Sequence, residues 1–173
     1  MSKFLEGFSC HKNQDVQDFL RKKAIRFDST HNSRTYLIFD EEQLNFGIFG
    51  YFTLSFKEII LEDDYQISKS KIKKLNGISK NAERIRAFLI GQLGKNTSIK
   101  NNPLNLKEIL SEVFSILQQA QELIGGRVIL LECEDNEKLI NLYRNNGFEV
   151  LQKSDLVQMY LIFDISKRRW VEQ

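Results

Sequence analysis

The sequence predicts a mixed α/β fold in which helices cover a sheet. Apolar residues recur at helical spacing in long segments, and β-branched and aromatic residues cluster in several short runs. The two kinds of segment also alternate along the chain. An order of helix, two strands, strand, long helix, strand, helix and two closing strands is typical of a layered α/β domain. The 173 residues are enough for one such domain with its own core.

The first half of the chain begins with a helix and continues with two strands. From Asp15 to about Phe27 the apolar residues recur every three or four positions, which predicts an amphipathic helix. The runs at 35–40 and 46–56 are rich in β-branched and aromatic residues and are predicted to be strands. The short polar segment EEQLN between them suits a hairpin connection.

The middle of the chain is predicted to hold a variable segment, a central strand and the longest helix. Residues 57–81 are mixed in character, with a short helix at 72–75, and are predicted to be a variable insertion that carries specificity. IRAFLIGQLGK at 85–95 is predicted to be a central strand whose two glycines mark a bulge or a close backbone approach. The apolar stripe over 103–124 predicts a long helix, which two consecutive glycines end.

A strand and a helix are expected next. RVILLEC at 127–133 is predicted to be a buried strand. In NEKLINLYRNNGFEV at 136–150 the pattern is amphipathic up to Tyr143, and the helix is expected to end near Gly147.

The chain is expected to close with two further strands, at 148–151 and 157–163. Residues 164–173 are predicted to be a peripheral tail. Residues 1–173 are therefore predicted to form a single domain.

Composition excludes several classes of protein. A formal net charge of only +2 argues against a protein that binds nucleic acid non-specifically over its whole surface. The longest apolar runs are far shorter than the roughly 20 residues of a membrane span. The N-terminus also lacks the apolar stretch of a secretory signal, so a cytoplasmic protein without membrane contact is expected.

The two cysteines, Cys10 and Cys133, are too few and too far apart for a disulfide framework or a recognisable zinc site. Two reduced thiols and no metal site are therefore expected. Cys10 precedes His11, but adjacent side chains rarely face each other, so a structural role is favoured over a Cys–His nucleophile.

Positive charge is concentrated in two segments of the chain. The basic residues of the predicted first helix are Arg21, Lys22, Lys23 and Arg26. The basic residues of the predicted insertion are Lys69, Lys71, Lys73 and Lys74. The favoured interpretation is two solvated faces, and the alternative is a surface for a phosphate-rich partner.

The last third of the sequence carries the most specific pattern in the chain. Asn136 follows the predicted strand at 127–133, Tyr143 comes seven residues later, and a Gly-Phe pair follows at 147–148. This pattern resembles the asparagine, tyrosine and Gly-Phe turn of the GCN5-related N-acetyltransferase (GNAT) family, which transfers an acetyl group from acetyl-coenzyme A to an amine. The resemblance covers about residues 4–163. It implies a central mixed, mostly antiparallel sheet flanked by helices, with Asn136 as a cofactor contact and Tyr143 as the general acid that protonates the leaving thiolate.

The first half of the chain narrows this resemblance. FSCHKNQDVQDFLRKKA, SRTYLIFD, FGIFGYFTLSF and FLIGQLGKN are similar to segments of the acetyltransferase toxins of toxin–antitoxin pairs, which acetylate the amino group of aminoacyl-tRNA. The resemblance makes aminoacyl-tRNA a candidate acceptor, an antitoxin protein a candidate partner and a homodimer a candidate assembly.

One segment departs from the family. The family's pyrophosphate loop has a glutamine or arginine, two free positions, a glycine, one free position and then a glycine or alanine. The matching residues here are Lys100, Asn101, Asn102, Pro103, Leu104 and Asn105. A basic residue remains at the front, but both small positions are lost and the proline has no N–H to donate. By resemblance, the other five residues are the candidate contacts of the cofactor, and the backbone at Leu93 and Gly94 would hold the thioester carbonyl.

The start of the long helix can be read in two ways. Asn105 and Glu108 have the spacing of a capping box, whereas Pro103 also suits the first helical position after an Asn102 cap. Both arrangements are compatible with a loop that has lost its role in binding phosphate. The alternative is a weaker cofactor site, because the helix-start N–H groups and Lys100 remain able to meet a phosphate.

Three functions stay open at this point. The first is an acetyl-CoA-dependent N-acetyltransferase that acts on aminoacyl-tRNA, and the second is the same activity on a small amine or a protein terminus. The third is a pseudoenzyme or regulatory module that keeps the fold without the cofactor, in which Tyr143 is a core aromatic. The sequence does not identify a general base, because Glu132, Glu134 and Asp135 lie at a strand end where acidic residues are usually solvated.

Overall fold

Strands and helices alternate through the described parts of the chain, residues 2–42, 44–62 and 66–163, in this computed structural model. The strands are β1 (Arg34–Ile38), β2 (Gly50–Ile60), β3 (Arg84–Lys95), β4 (Val128–Cys133), β5 (Glu149–Lys153) and β6 (Val157–Ile162). They form one six-stranded sheet in the order β1-β2-β3-β4-β6-β5. The pairs β1–β2, β4–β6 and β5–β6 are antiparallel. The predicted mixed α/β class with a mostly antiparallel sheet is confirmed.

The α-helices are α1 (Ser2–Leu5), α2 (Gln14–Asp18), α3 (Ala24–Ser29), α4 (Lys69–Asn76), α5 (Leu106–Ile124) and α6 (Glu137–Arg144). A π-helical turn, Phe19–Lys23, joins α2 to α3, and a 3₁₀ turn, Leu44–Phe46, precedes β2. None of the helices in the described ranges has the length and hydropathy required to cross a membrane.

The chain divides into two compact units. The first unit comprises residues 1–55 and 90–115, and the second comprises residues 56–89 and 116–173. Each unit is described separately below.

The predicted first helix exists, but a π-helical turn interrupts it. Asn13 caps α2 by accepting the N–H of Val16 at 3.2 Å. Within the π turn, Arg21 donates from Nε to the carbonyl of Phe8 at 2.8 Å and from Nη2 to the hydroxyl of Ser9 at 3.2 Å. Arg21 therefore anchors the N-terminal segment, and its charge is not part of a freely solvated basic face.

The core of the first unit lies between the N-terminal helices and the start of β2. Its buried residues are Leu5, Phe8, Cys10, Val16, Leu20, Ala24, Ile48 and Tyr51. Tyr51 donates its hydroxyl proton to the carbonyl of Val16, so its polar end is satisfied inside this core. Each large side chain buried there contributes about 1.5–3 kcal/mol relative to an exposed one.

The core of the second unit lies beneath α4. Its buried residues are Ile59, Leu75, Ile85, Ala87, Val128, Leu130, Leu151 and Tyr160. Ser68 caps α4 by accepting the N–H of Lys71 at 3.2 Å, and Gly77, at φ +90°, ends the helix in a left-handed conformation.

Several predicted boundaries shift. The second strand begins at Gly50 instead of 46 and runs to Ile60, so residues 57–60 of the predicted insertion belong to the sheet. The sequence pattern did not predict this part of the strand because Lys57 and Glu58 are charged. In the structure each forms an ion pair with a charged residue of the second unit. The predicted helix at 72–75 extends over 69–76. The predicted tail, 164–173, lies outside the described residues.

Candidate functional site

Asn136 begins α6 as its N-cap. Its backbone is extended, and its Oδ1 accepts the N–H of Lys138 at 2.9 Å. Its own N–H donates to the carbonyl of Glu134 at 2.7 Å. The side-chain Nδ2 has no hydrogen bond to any residue that the structure describes, and Asn136 is exposed. The cap therefore leaves the two N–H donors of the side-chain amide available to a ligand.

Tyr143 lies two helical turns after Asn136, on the same face of α6, because seven residues complete almost two turns. The Tyr143 ring packs edge-on against Phe148, with ring centroids 6.2 Å apart. Its hydroxyl has no hydrogen-bond partner within the described ranges, and burial, with a smaller effect of Cys133, raises the pKa of Tyr143 to about 12. The phenol therefore keeps its proton at neutral pH and can donate it.

The end of α6 fixes the position of the tyrosine ring. Gly147 has φ +89°, which glycine adopts without strain, and the N–H of Phe148 donates to the carbonyl of Tyr143 at 3.1 Å. This turn brings the buried Phe148 ring back against Tyr143. The predicted helix end near Gly147 is confirmed, and the Gly-Phe pair acts as a support for the tyrosine.

Cys133, at the end of β4, is the titratable neighbour of Tyr143. Its side chain is buried, and its Sγ lies 4.0 Å from the sulfur of Met159. Burial, together with Asp135 and Glu134, raises the pKa of the Cys133 thiol. A protonated, buried thiol is a packing residue and a poor nucleophile.

The three acidic residues considered as bases are placed differently. Glu132 accepts two bonds from the ammonium of Lys57, at 2.6 and 2.7 Å, and one from the amide of Gln158 at 2.7 Å. Asp135 pairs with Lys153, and Glu134 is exposed. Glu132 is therefore occupied by partners, and the geometry does not assign a general base.

The loop after β3, residues 96–105 in the first unit, is organised by a buried asparagine that the sequence did not single out. Asn96 is 2% exposed. Its Nδ2 donates to the carbonyl of Ile48 at 2.8 Å, and its Oδ1 accepts the N–H groups of Ser9 and Ser98 at 3.1 and 3.0 Å. This side chain ties the loop to the N-terminal segment and to the residues before β2.

Asn102 holds the second half of the loop. Its Nδ2 donates to the carbonyls of Phe49 and Asn96 at 2.8 and 3.0 Å, and its Oδ1 accepts the N–H of Leu104 at 3.0 Å. Its own N–H donates to the carbonyl of Ile99 at 3.3 Å. The side chain of Asn102 and the N–H of Leu104, both candidate cofactor contacts, are thus engaged by the loop itself.

The start of α5 is a capping box, which decides between the two helix starts. The N–H of Asn105 donates to Oε2 of Glu108 at 2.8 Å, and the N–H of Glu108 donates to Oδ1 of Asn105 at 3.1 Å. Pro103 lies outside the helix. The N–H groups of Leu106 and Lys107 make no hydrogen bond with the described residues, so two donors remain at the positive end of the helix dipole.

The remaining candidates of the first unit are the residues at the front of the loop and at the end of β3. Lys100 and Asn101 are exposed, and Asn101 has φ +57°. Leu93 is half-buried, and Gly94 is buried. A Cβ at Gly94 would collide with the side chain of Val16, so this glycine is required by packing inside the first unit.

The candidate residues thus fall into two groups. Leu93, Gly94 and the loop from Lys100 to Asn105 belong to the first unit, whereas Asn136 and Tyr143 belong to the second. Sequence reasoning missed Asn96. It also missed the negative charge that Glu108 places beside the free N–H groups of Leu106 and Lys107. Glu108 was recognisable as a helix cap, but Asn96 carries no local signal, because all its side-chain partners except Ser98 lie far away in the sequence.

Comparison with known proteins shows similarity in structure only. No protein-family model and no curated protein sequence matches this chain. A structure of AtaT complexed with acetyl-methionyl-tRNAfMet is 21% identical, with 91% of this chain and 86% of that chain covered and a TM-score of 0.71. A Tyr→Phe mutant of KacT is 20% identical, with coverage of 91% and 86% and a TM-score of 0.67. AtaTR bound with AcCoA is 19% identical, with the same coverage and a TM-score of 0.66.

These neighbours are GNAT acetyltransferase toxins of toxin–antitoxin systems. The similarity extends over nearly the whole chain, and it confirms the predicted resemblance at the level of the fold. The chain therefore has the GNAT fold.

Proposed function

We propose that this chain is an acetyl-CoA-dependent N-acetyltransferase whose acceptor is the amino group of an aminoacyl-tRNA. The observation that carries the proposal is the hydroxyl of Tyr143, which stays protonated and unpaired among the described residues while the Gly147 turn and Phe148 fix its ring. A side chain held so firmly with its polar atom unused is typical of a catalytic donor.

The groups that would hold acetyl-CoA are donors that the fold leaves unused. In the first unit these are the N–H groups of Leu106 and Lys107 at the start of α5 and the exposed side chain of Lys100. Helix-start amides and a lysine suit the oxygens of a pyrophosphate. In the second unit the free Nδ2 of Asn136 suits a carbonyl oxygen of the cofactor.

Glu108 opposes this binding. Its carboxylate occupies the capping box beside the two free amides and places a negative charge where a phosphate would approach. These donors fit the cofactor. They should attract it less strongly than a glycine-rich loop would, because all the backbone amides of such a loop stay free.

The chemistry assigned to this chain is proton donation at the leaving atom. Acetyl-CoA would supply an acetyl thioester, whose C–S bond would break as the acceptor nitrogen bonds to the carbonyl carbon. The nitrogen would lose its proton to solvent, and Tyr143 would recover from solvent the proton that it gives to the sulfur. Because its pKa is raised to about 12, Tyr143 would hold its proton until negative charge develops at the departing sulfur. Its O–H would first donate a hydrogen bond to that charge and then deliver the proton.

The choice of acceptor rests on what is known of the structural neighbours. AtaT was captured with acetyl-methionyl-tRNAfMet, and a further structure holds AtaT with the C-terminus of the antitoxin AtaR and acetyl-CoA. We extend both to this chain as an aminoacyl-tRNA acceptor and an antitoxin partner. Acetylation of a small amine or of a protein terminus is the alternative within the same chemistry.

A second candidate function is a binding module of the same fold without the cofactor. The observation that favours it is the loop 96–105, in which the N–H groups of Asn102, Leu104 and Asn105 are all used internally. A titration with acetyl-CoA separates this candidate from the enzyme.

We expect calorimetry to show acetyl-CoA binding to the unmodified protein and tighter binding to Glu108→Gln. Glutamine keeps the capping box but removes the opposing charge, and a charge at a helix end is worth about 0.3–1 kcal/mol, or roughly two- to five-fold in affinity. The same change removes a favourable charge from the helix start, so the melting temperature should fall slightly while the affinity rises. Absence of heat with both proteins would favour the binding module.

The acceptor is tested by following transfer of radiolabelled acetyl groups. Charged tRNA, deacylated tRNA and a panel of small amines are offered under the same conditions. Label on charged tRNA alone supports the proposal. Label on a small amine, with none on tRNA, would show that the acceptor is a small amine and not an aminoacyl-tRNA.

A further inference from the structure

A basic groove of about 530 Å³ lies within the second unit and has no role in the site described above. The residues that matter for its chemistry are Glu58, Asn76, Ile78, Arg84, Arg86 and Arg127. We refer to it as the arginine groove. Three guanidinium groups against one carboxylate give it an excess of positive charge.

The backbone places the three arginines together. Arg84 and Arg86 are two residues apart on β3, so they lie on one face of the strand, about 6.6 Å apart along it. Arg127 follows Gly126, whose φ of +109° and close approach to Phe88 exclude a Cβ at that position. A Cβ at Gly77, the C-cap of α4, would collide with the guanidinium of Arg127. The two glycines therefore allow Arg127 to lie against the end of α4.

Most of the charge of the groove is not neutralised inside the described parts of the chain. Arg84 donates to Glu58 at 2.8 Å, whereas Arg86 and Arg127 have no carboxylate partner there. The side-chain oxygen of Asn76 accepts the N–H groups of Ile78 and Ser79 at 3.3 and 2.8 Å, which leaves its NH₂ group as a further donor.

The sequence around the groove adds to this charge. Residues 69–86 contain seven lysines and arginines and a single glutamate, whereas the whole chain has a net charge of only +2. The positive charge is therefore local, as expected for a surface that recognises phosphates at one place and not for a protein that binds anions everywhere.

An aromatic ring lies on the same face of the sheet. Phe56 is two residues before Glu58 on β2, and its side chain is 66% exposed. Its ring lies 5.5 Å from that of Phe88, which is two residues after Arg86 on β3. An exposed ring that packs against a buried one, beside guanidinium groups without a carboxylate partner, is the combination with which proteins bind single-stranded nucleic acid through stacking and phosphate contacts.

We propose that the arginine groove and Phe56 form a binding surface for a single-stranded segment of RNA. Arg86, Arg127 and the NH₂ group of Asn76 bind backbone phosphates, and Phe56 stacks against a base. The proposal rests on the proposed function only in taking a tRNA as the natural RNA. The surface itself is argued from its charge and its exposed ring.

The test measures fluorescence anisotropy of a short labelled single-stranded RNA of mixed sequence, without acetyl-CoA and over a range of salt concentrations. The double variant Arg86→Gln/Arg127→Gln should weaken binding and lower the slope of log Kd against log salt by about 0.7 for each lost phosphate contact, or about 1.4 in all. Phe56→Leu should weaken binding about five-fold or more with an unchanged slope, because it removes stacking without removing charge.

The matched control is Lys23→Gln/Arg26→Gln, which removes the same charge from exposed residues of the first helical segment. It should leave the affinity within about two-fold and the salt slope within about 0.3 of those of the unmodified protein, because no phosphate contact is removed. If it weakens binding as much as the groove variant does, or if polyglutamate of similar charge displaces the RNA as well as unlabelled RNA does, the proposal is overturned.

Titrating the same variants with acetyl-CoA separates this inference from the proposed function. Intact acetyl-CoA binding together with lost RNA binding supports the groove as the RNA surface. A protein that binds acetyl-CoA and acetylates a small amine but does not bind RNA keeps the enzyme and refutes the groove. If the double variant misfolds, Phe56→Leu still tests the proposal. That variant should fold, because Phe56 is exposed and the change keeps an apolar side chain.

Discussion

Replacing Tyr143 by phenylalanine should lower acetyl transfer by about 10²-fold or more and leave the fold and acetyl-CoA affinity unchanged. The ring remains against Phe148, and the deleted hydroxyl has no hydrogen-bond partner among the described residues, so packing loses nothing. The measurement is kcat with charged tRNA, read beside calorimetric affinity and the melting temperature. A positioned proton donor affects the rate without affecting binding, whereas a core aromatic affects neither.

Tyr36→Phe is the matched control for this change. Tyr36 is also a half-buried tyrosine, and its ring stacks on Phe52 with centroids 5.0 Å apart. Turnover of that variant should equal that of the unmodified protein. Equal turnover of all three proteins would return Tyr143 to a structural role.

The pH dependence of turnover gives a second test of Tyr143. Burial raises the pKa of its hydroxyl to about 12, so the protonated and active form persists through neutral and mildly alkaline pH. Loss of turnover caused by ionisation of this phenol should therefore begin only as the pH approaches that value. A Tyr143-dependent fall near pH 10, the ordinary range of tyrosine, would contradict the buried environment described for the ring.

The features that the sequence predicted well are held together by local interactions. In α6 the apolar stripe follows the helical period, and Gly147 ends the helix four residues after Tyr143. Each of these interactions joins residues within one or two turns, so composition and spacing are enough to recognise them.

The features that the sequence missed depend on partners far away in the chain. Asn102 bonds to the carbonyl of Phe49 across 53 residues, and Lys57 pairs with Glu132 across 75. A window of neighbouring residues contains neither partner, so Asn102 was read as a helix cap or a phosphate contact and Lys57 as the start of an insertion. Only the fold brings such groups together.

The loop 96–105 should depend on Asn102 more than on any of its exposed residues. Alanine at this position removes two donors and one acceptor, and it leaves the carbonyl of Asn96 and the N–H of Leu104 without their partners. Each buried polar group that loses its partner costs about 1–3 kcal/mol, so we expect a loss of about 2–4 kcal/mol in the free energy of unfolding. Urea denaturation measures this loss as a lower midpoint at an unchanged slope.

The matched control is Asn101→Gly. Asn101 is exposed and has φ +57°, a conformation that glycine adopts readily, so this variant should stay within about 0.5 kcal/mol of the unmodified protein. Acetyl-CoA affinity should fall in Asn102→Ala and hold in Asn101→Gly, because only the first change releases the segment that leads into α5. If Asn102→Ala is as stable as the control, its buried hydrogen bonds do not hold the loop. If it is destabilised but binds acetyl-CoA with unchanged affinity, the cofactor does not depend on this loop, and the phosphate contacts proposed for Leu106 and Lys107 are wrong.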